Sequence, residues 1–394
     1  MKRFGTYIAA LFTILLISCS SGGNIELPEH ISSLDNLTVY PAVEEGEVHS
    51  SFTLVPDHYF GETEEIFLGH IGAVVVADDG RVFITDPGER KIQAYRPDGS
   101  HLATLGGEGA GPGEYQNIAS MKVYAGRLYI FDSSNSKLDI YSLDSLSLAH
   151  TVSLNPENWS DVEELAGRYV NDIFPRSDET FLVRFTEMPT RENEDSKTVR
   201  YYLMDREGQL AEPVREVLNQ DDMMHRNYET DRFVLFYQPY PPVFRKPLVA
   251  AREDGRIYSA WSGEFLIKTY NPEGEYREAF YHPFANQEFD RNAFVSELAG
   301  PIGEAARAIE LPDTWPALES LLVDDENRFW ISTIIDDLEL WQWWVLNESG
   351  ELLDIFEWPR NREIREVKNG YLYTRETNEE TGVQQVVRYR IELE

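Results

Sequence analysis

Cysteine is nearly absent from this chain, because Cys19 is the only one among 394 residues. No disulfide can form within a single copy, so packing has to stabilise the folded state. Histidine is sparse too: the eight histidines are scattered, with no H-E-x-x-H motif and no pair at metal-ligand spacing. The chain also lacks a G-x-S-x-G motif, so the sequence offers no evident carrier of nucleophilic catalysis.

Positive charge is also scarce. The chain has 35 Lys and Arg residues against 69 Asp and Glu, which gives a formal net charge of −34 at pH 7. Such a surface repels nucleic acids and anionic membranes, so we expect no nucleic-acid partner. A solvated, non-aggregating surface explains this charge, and a cationic ligand or divalent ions are the alternative. No acidic cluster fits the calcium-loop pattern D-x-[DN]-x-[DN]-G, so the sequence predicts no cofactor and leaves Ca or Zn open.

Long apolar runs are missing except at the N-terminus. Lys2 and Arg3 precede an uncharged run over residues 4–17, shorter than the ~18 apolar residues of a membrane-spanning helix. The run ends in LISC, residues 16–19, which resembles the bacterial lipobox. We therefore predict a signal peptide at residues 1–18 and a diacylglyceryl anchor on Cys19. Ser20 resembles the residue that follows the cysteine in outer-membrane lipoproteins, so we predict export and anchoring in the outer membrane or at the cell surface.

Residues 19–46 begin with small polar residues and show little periodicity, which is typical of a flexible tether. Within this tether, the segment LDNLTVY at residues 34–40 could dock on the folded body. From residue 47 onward the pattern changes, and we assign residues 47–394 to one folded domain.

A repeated pair of cassettes organises this domain. DDGRVFITD at residues 78–86 aligns without gaps with YAGRLYIFD at residues 124–132, and each is a tight turn that leads into an alternating strand. A second strand–turn–strand cassette follows each copy of the first, so one repeat of about 45 residues describes four antiparallel strands. That is the signature of a propeller blade. Six copies are present, with turn residues at Gly80, Gly126, Glu179, Gly255, Asn327 and Asn369.

The two ends of the domain are complementary. The sixth copy stops at Glu394 without its outer strand, whereas residues 47–55, EVHSSFTLV, form a strand without a blade. Pairing the two closes the ring and removes an open sheet edge. We therefore predict an all-β fold, a six-bladed β-propeller whose last blade is completed by the N-terminal strand, with a short helical insertion between blades 4 and 5.

Five glycines fall within GGEGAGPGEY, residues 106–115. A phosphate loop needs a helix after the glycines and, in its P-loop form, a Lys-Ser/Thr pair, and this segment has neither. The alternative is a crossing from the outer strand of blade 1 to the inner strand of blade 2, where glycine permits a tight path.

The region from residue 80 to 142, GRVFITD through KLDIYS, resembles two consecutive blades of the NHL-repeat class of six-bladed propellers. It is most similar to exported propeller lipoproteins of the bacterial envelope. The resemblance is specific over residues 64–143, moderate over 245–283 and 317–394, and weak over 155–244. It implies a ring that binds protein or peptide, although a few members are lyases or lactonases with an axial metal, so no single chemistry follows from the fold.

Two long connections, residues 218–244 and 280–316, occupy the same kind of crossing and are expected to project from one face. The second connection shows the spacing of an apolar helix side at Phe289, Phe294 and Leu298. Pro301 predicts a break between two short helices. Aromatic residues either pack these insertions onto the ring or form a binding patch. The ligand-binding candidates are Tyr115, His225, Tyr228, Phe236, Tyr237, Tyr240 and Trp315.

From these observations we expect a monomeric, lipid-anchored envelope propeller that binds an unknown protein, peptide or glycan partner without catalysis. The alternative is a metal-dependent lyase or hydrolase at the mouth of the channel. For that alternative only His70, His225 and His282 could approach one face, and surface histidines without a metal are the simpler interpretation.

Overall fold

The structure is a computed structural model. It describes residues 27–43, 52–61, 66, 68–176, 179–187, 197–220, 224–227, 232–235, 243–252, 254–298, 300–308 and 311–393. Two compact units are distinguished, residues 1–34 and 35–394. The first contains helix α1 (Glu29–Ser32). Among the described residues, no helix has the length and apolar character needed to cross a bilayer.

Six sheets make up most of the second unit, and their order from inner to outer strand repeats. Two strands precede the first complete sheet, β1 (Leu37–Val39) and β2 (Phe52–Phe60). Blade 1 contains β3 (Val74–Val76), β4 (Val82–Asp86), β5 (Lys91–Tyr95) and β6 (His101–Gly106). Blade 2 contains β7 (Ile118–Tyr124), β8 (Arg127–Asp132), β9 (Lys137–Ser142) and β10 (Ser147–Ser153). Blade 3 contains β11 (Arg168–Pro175), β12 (Phe181–Glu187), β13 (Lys197–Met204) and β14 (Leu210–Gln220).

The hairpin β15 (Met224–Asn227) and β16 (Arg232–Leu235) then precedes blade 4. Blade 4 contains β17 (Pro247–Ala251), β18 (Ile257–Trp261), β19 (Leu266–Tyr270) and β20 (Tyr276–Tyr281). Helices α2 (Arg291–Glu297) and α3 (Gly300–Ala308) follow it. Blade 5 contains β21 (Leu318–Val323), β22 (Phe329–Ile334), β23 (Leu340–Leu346) and β24 (Leu352–Pro359). Blade 6 contains β25 (Glu363–Lys368), β26 (Tyr371–Thr377) and β27 (Gln384–Leu393).

The inner strands connect the blades in sequence around an axis. β25 contacts β3, β3 contacts β7, β7 contacts β11, β17 contacts β21 and β21 contacts β25, while β14 contacts β17. Each pair of neighbouring sheets buries apolar side chains between them. The prediction of six blades is confirmed.

The ring is closed by the N-terminal strand. β2 pairs antiparallel with β27 as the outer strand of blade 6, with Phe52 opposite Leu393 and Pro56 opposite Tyr389. The strand begins at Phe52 and continues to Phe60, several residues beyond the end at 55 that the sequence indicated. The extra length lets the strand run into the crossing to blade 1. The closure itself is confirmed.

The repeated turn has one backbone requirement. All six turn positions adopt positive φ: Gly80 (83°), Gly126 (70°), Glu179 (59°), Gly255 (83°), Asn327 (69°) and Asn369 (56°). Glycine and asparagine tolerate this region best, so the alignment of Gly with Asn across copies reflects one left-handed turn.

The arginine after two of these turns ties one blade to the next. Arg81 donates from Nη1 to the carbonyl oxygen of Leu143 in the neighbouring blade, at 2.7 Å. Arg256 forms an ion pair with Glu348 of the following blade. Each arginine thus spans the gap between two sheets, which explains why the Gly-Arg pair recurs.

The glycines of the second cassette also serve contacts between blades. A Cβ on Gly99 would lie 2.9 Å from the carbonyl oxygen of Tyr59, and one on Gly350 would lie 2.4 Å from the Phe280 ring. Both partners belong to the outer strand of the preceding blade. The turn therefore packs too closely on that strand to accept a side chain.

The predicted tether at residues 19–46 contains an ordered segment. β1 adds to blade 4 as a fifth, parallel strand on β20. Tyr40, next to it, stacks on His282 with ring centroids 4.7 Å apart and donates a hydrogen bond to the carbonyl oxygen of Ser349 at 2.9 Å. The segment LDNLTVY, for which the sequence left docking open, thus docks through backbone pairing of β1 and the contacts of Tyr40.

The insertion between blades 4 and 5 is helical, as predicted. Phe289, Phe294 and Leu298 pack in the core cluster shared with blades 5 and 6. α2 has Leu298 as its C-cap residue and α3 begins at Gly300, so the predicted break at Pro301 is displaced, and Pro301 is the second residue of α3. Proline is tolerated there because the first-turn N–H groups have no intrahelical acceptor. β16 contacts α3, so the two long connections lie on the same face.

Candidate functional site

The glycine-rich crossing between blades 1 and 2 is built from its own contacts. No helix follows it, and the chain enters β7 at Ile118. Gly106 has φ of +81°, and a Cβ there would lie 2.6 Å from the Tyr115 ring. The Tyr115 side chain is fully buried, and its backbone N–H donates to the carbonyl oxygen of Gly107 at 2.7 Å. The glycines therefore shape a crossing that tucks Tyr115 into the core.

Of the ligand-binding candidates from the sequence, the structure describes the side chains of Tyr115 and Trp315, and it does not bring these two together. Trp315 is 7% exposed and packs edge-to-face on Phe289, with centroids 4.7 Å apart. Tyr115 and Trp315 belong to different core clusters. His225 lies in β15, and its side chain is outside the described residues. Tyr228, Phe236, Tyr237 and Tyr240 also lie outside them, as does Cys19. These assignments stay predictions.

The histidines named for an axial metal are placed apart. His70 is exposed before blade 1, whereas His282 is buried beside Tyr40 and Phe265. Burial lowers the pKa of His282 to about 4. A hydrogen bond of 2.8 Å to the carbonyl oxygen of Gly350 acts in the opposite direction and is outweighed. His282 is thus a core residue rather than the surface residue that the sequence indicated. Within the described ranges, no group of three His, Cys, Asp or Glu side chains could hold a metal ion.

A cleft opens between blades 5 and 6 on the face that carries the crossings. Its inner end is a cavity of about 410 Å³ near the axis. We call this the inner cavity; it is lined by Glu319, Ser320, Ser332, Trp341, Trp343, Arg360, Asn361, Glu363, Ile364, Arg375, Glu376, Thr377 and Gln384.

β-Bulges shape the wall of this cavity. Glu319 is the extra residue where the β21–β22 register shifts between Leu318 and Ser320. Arg365 is the extra residue at the matching place in β25, between Ile364 and Glu366. A bulge re-aims a side chain that would otherwise alternate with its neighbours. The two bulges thereby accommodate Glu319 and Arg365 in the inner strands of blades 5 and 6.

The charges around the cavity form a network across three blades. Glu363 accepts a hydrogen bond from Arg365 Nη1 at 2.5 Å and another from Arg375 Nη2. Burial opposes ionisation of Glu363, yet the two guanidinium groups hold its pKa below the usual value. Glu319 behaves oppositely, because burial raises its pKa despite the ion pair with Lys246 at 2.7 Å. Of these two carboxylates, Glu363 is therefore held in its charged form and Glu319 is harder to ionise.

Arg360 and two tryptophans form the rest of the wall. The Arg360 guanidinium lies 4.0 Å from the centroid of the Trp341 ring, and its Nε donates to the carbonyl oxygen of Leu340 at 2.8 Å. Trp343 is 2% exposed, and its indole N–H has no hydrogen-bond partner among the described residues. A buried donor of this kind is unusual and calls for an explanation.

The cleft continues outward as a groove of about 870 Å³, which we call the outer groove. It shares Asn361, Glu376 and Thr377 with the inner cavity. Tyr59, 59% exposed, and the mostly buried Trp358 and Tyr389 also line it. A hydrogen bond from the Tyr389 hydroxyl to Glu376 Oε1, 2.7 Å, fixes that ring. One continuous cleft therefore runs from the axis towards the rim.

A different cavity, of about 350 Å³, lies between blades 2 and 3 on the opposite face. Arg127 and Arg206 both pair with Glu179 there, at 3.4 and 3.3 Å. Because these charges satisfy one another at the surface, we favour the blade 5–6 cleft as the functional site.

The cleft residues belong neither to a catalytic motif nor to an aromatic-rich insertion, so the sequence does not single them out. A usable signal is present in EIREVK, residues 363–368, an inner strand that carries four charged residues where the other blades have mainly apolar ones. A second is the short crossing before it, PRNR at residues 359–362.

Comparison with known proteins bears on the fold. The model of family DUF5128, described as a 6-bladed beta-propeller, matches residues 58–240. No curated protein matches the chain at a significant level. A protein from Bacteroides fragilis NCTC 9343 described as a candidate exported protein is 10% identical with a TM-score of 0.53, covering 90% of this chain and 99% of that one.

A second solved structure, a member of the duf4221 family from Bacteroides vulgatus atcc 8482, is 11% identical with a TM-score of 0.54. The alignment covers 88% of this chain and 99% of that one. At such identities the likeness concerns the fold alone. Taken with six sheets around one axis and the match to the family model, it identifies this chain as a six-bladed β-propeller.

Proposed function

We propose that this protein is an exported, lipid-anchored propeller that binds a ligand in the blade 5–6 cleft without chemical turnover. The observation that carries the proposal is the continuity of the inner cavity with the outer groove through Asn361, Glu376 and Thr377. Binding sites in rigid folds are concave and combine polar groups with aromatic surface. The cleft has both.

The arrangement of charges favours binding over catalysis. Glu363 is held between Arg365 and Arg375, and Glu319 is paired with Lys246. A general acid and base pair needs groups free to exchange protons with a substrate. These carboxylates are instead fixed by cations, which suits orientation of a ligand.

The envelope location is proposed from the N-terminal sequence. The run before Cys19 and the LISC segment support lipidation, and the B. fragilis structural neighbour is described as a candidate exported protein. A strongly acidic propeller held by a lipid would present its cleft to soluble or surface-bound molecules outside the cytoplasm.

Binding can be tested by thermal shift with the full chain and two separate panels, one of defined oligosaccharides and one of peptides. A ligand present at 100 times its Kd should stabilise the folded state by about 2.7 kcal/mol. Thr377→Trp would obstruct the junction of cavity and groove from an exposed position, so the shift should disappear. Thr381→Trp, exposed in the next loop and outside the cleft, should keep it.

Two results would contradict the proposal. The first is that no member of either panel shifts the transition, or that Thr377→Trp leaves the shift intact. The second is chemical change in the recovered ligand, detected by mass spectrometry, because a binding scaffold returns it unaltered.

The anchor has its own test. Wild-type cells fed an alkyne fatty acid should label the protein, and Cys19→Ser should remove the label and release the chain from the membrane fraction. Cys19 is the only acceptor thiol in the chain. Labelling of the serine variant would refute lipidation at this residue.

A further inference from the structure

We infer that the ligand of the blade 5–6 cleft is an oligosaccharide. This inference rests on the proposed function and specifies its ligand class. It is carried by the chemistry of the lining, an unused donor in the wall and an exposed aromatic ring in the groove.

Aliphatic residues are rare in the lining. Of the 13 residues around the inner cavity, Ile364 is the single aliphatic one, two are tryptophans and ten carry hydrogen-bonding groups. A peptide anchored by side chains would need apolar pockets. A sugar instead offers many hydroxyl groups, each able to donate and accept, on a ring with apolar C–H faces. The lining matches a sugar.

Donors and acceptors are both present. Trp343 lines the inner cavity, and its N–H is a buried donor without a partner among the described residues, so we expect a ligand oxygen to reach it after a small rotation of the ring. Glu363 supplies acceptor oxygens that its two arginines keep charged. Hydrogen bonds from hydroxyl groups to a carboxylate are about twice as strong as neutral ones. The inner cavity can therefore bind the hydroxyls of one sugar from two sides.

The outer groove offers one exposed aromatic platform for a further sugar unit. The Tyr59 side chain is 59% exposed at the groove, and Trp358 and Tyr389 meet edge-to-face beside it with centroids 5.1 Å apart. Aromatic rings combine apolar faces with polar edges, which suits contact with sugar C–H groups next to hydroxyls. A groove continuous with the cavity favours a chain of sugars over a single one.

The test uses isothermal titration of the full chain with linear oligosaccharides of four to six units and with peptides of matched length. We expect at least one oligosaccharide to bind and no peptide to do so. Trp343→Phe keeps an aromatic ring but removes the five-membered part of the indole together with its N–H donor, which should weaken binding about fivefold. The matched control is Trp344→Phe on the same strand, since Trp344 Nε1 already donates to Gln342 Oε1 at 3.0 Å. This control should lower the melting temperature and leave Kd within about twofold.

Tyr59→Ala provides a second variant at an exposed position. Loss of a stacked ring should weaken binding of the longer oligosaccharides about tenfold, and of the shortest ones less. Tyr169→Ala removes another exposed tyrosine, 42% exposed and outside the cleft, and should change nothing. Folding of both variants is checked by their melting temperatures.

The outcomes separate the inference from the proposed function. Peptide binding that Thr377→Trp abolishes would overturn the oligosaccharide and leave the cleft as a binding site. Oligosaccharide binding unaffected by Trp343→Phe and Tyr59→Ala would overturn the assignment of the sugar to this cleft. Failure of every ligand in both panels would overturn both.

Discussion

Two crossings between neighbouring blades differ in whether they fill the gap between the sheets. One connects blade 1 to blade 2 and the other connects blade 5 to blade 6. Each connects the outer strand of one sheet to the inner strand of the next. The first uses residues 107–117 and fills the gap between the sheets, whereas the second uses residues 360–362 and leaves the inner cavity beside it. The length of the crossing thus decides whether the gap between two blades is closed by the chain itself.

In the filled crossing, polar groups of the loop find partners in blade 2. Gly113 donates from its backbone to Asp139 Oδ2 at 2.9 Å, and Lys137 Nζ donates to the Gly111 carbonyl oxygen at 2.5 Å. Lys137 also pairs with Asp139 at 3.0 Å. The Tyr115 ring lies beneath this pair, with Lys137 Nζ 5.1 Å from its centroid. A buried network satisfied in this way rigidifies its surroundings.

The open crossing leaves its polar groups facing a cavity. Arg360 is held on one side by Trp341 and Leu340, yet its loop contributes no ring to the gap. The surrounding charges are satisfied along the wall, as with Glu363 between Arg365 and Arg375. A stable wall around an unfilled space is what a ligand site requires.

The largest expected effect is that of Tyr115→Ala. The ring is fully buried between blades 1 and 2, so its removal should cost about 3–5 kcal/mol of unfolding free energy. Urea denaturation monitored by tryptophan fluorescence measures it. Tyr59→Ala, in the open cleft, should stay within about 0.5 kcal/mol. Similar losses at both positions would remove the distinction between a filled and an open crossing.

A single methyl group probes the filled crossing next. Gly106→Ala forces a residue with a Cβ into φ of +81° and against the Tyr115 ring, so we expect a loss of about 1–3 kcal/mol. Gly107→Ala is the matched control, because a Cβ there would meet no described atom within 4 Å. It should change stability by no more than about 0.5 kcal/mol. Equal behaviour of the two variants in denaturant would contradict the close packing at Gly106.

The repeat made the architecture predictable from the sequence. Turn residues such as Gly80 and Asn369 mark the same left-handed position in each blade, and the unpaired strands at the two ends had to meet. Local rules of this kind need no knowledge of distant contacts. The helical insertion was predictable for the same reason, because the sequence spacing of Phe289, Phe294 and Leu298 is typical of one apolar side.

The cleft was not predictable, because it depends on which gaps between sheets remain unfilled. Glu319 and Arg365 lie at bulges, which shift the register of a strand without a sequence marker. The same limit applies to Tyr115 and His282, where an exposed and a buried ring have the same appearance in sequence. His282 is surrounded by aromatic rings from several elements, among them Tyr40 of the segment LDNLTVY and Phe265 of blade 4.

The carboxyl group of Glu366, on the inner strand of blade 6, has an ionisation that can be followed through its effect on stability. Burial raises the pKa of Glu366 on β25 to about 7, although Lys368 and Lys122 act to lower it. The folded state therefore binds this proton more tightly than the unfolded state, and stability falls as pH rises from about 4.5 to 7. Glu366→Gln should remove that loss. The unfolding free energy of the variant minus that of wild type should therefore be higher at pH 8 than at pH 4, by on the order of 1 kcal/mol.

Urea denaturation at the two pH values measures this gain. Glu363→Gln is the contrasting variant, because the pKa of Glu363 is lowered in the folded state. Its ionised form therefore stabilises the fold at pH values above the pKa that the side chain has in the unfolded chain. This variant should lose stability, relative to wild type, at the higher pH. The raised pKa of Glu366 would be contradicted if the difference in unfolding free energy between Glu366→Gln and wild type were the same at both pH values.

The smallest expected effect is that of added volume in the open crossing. Asn361 is exposed and lines both the inner cavity and the outer groove, so Asn361→Phe places a whole ring where space exists. We expect the unfolding free energy to stay within about 0.5 kcal/mol of wild type, less than the cost of one methyl at Gly106. The same ring should block the ligand, since it occupies the junction of cavity and groove. A loss of more than 2 kcal/mol in denaturant would mean that the gap between blades 5 and 6 is already filled, and the contrast between the two crossings would fail.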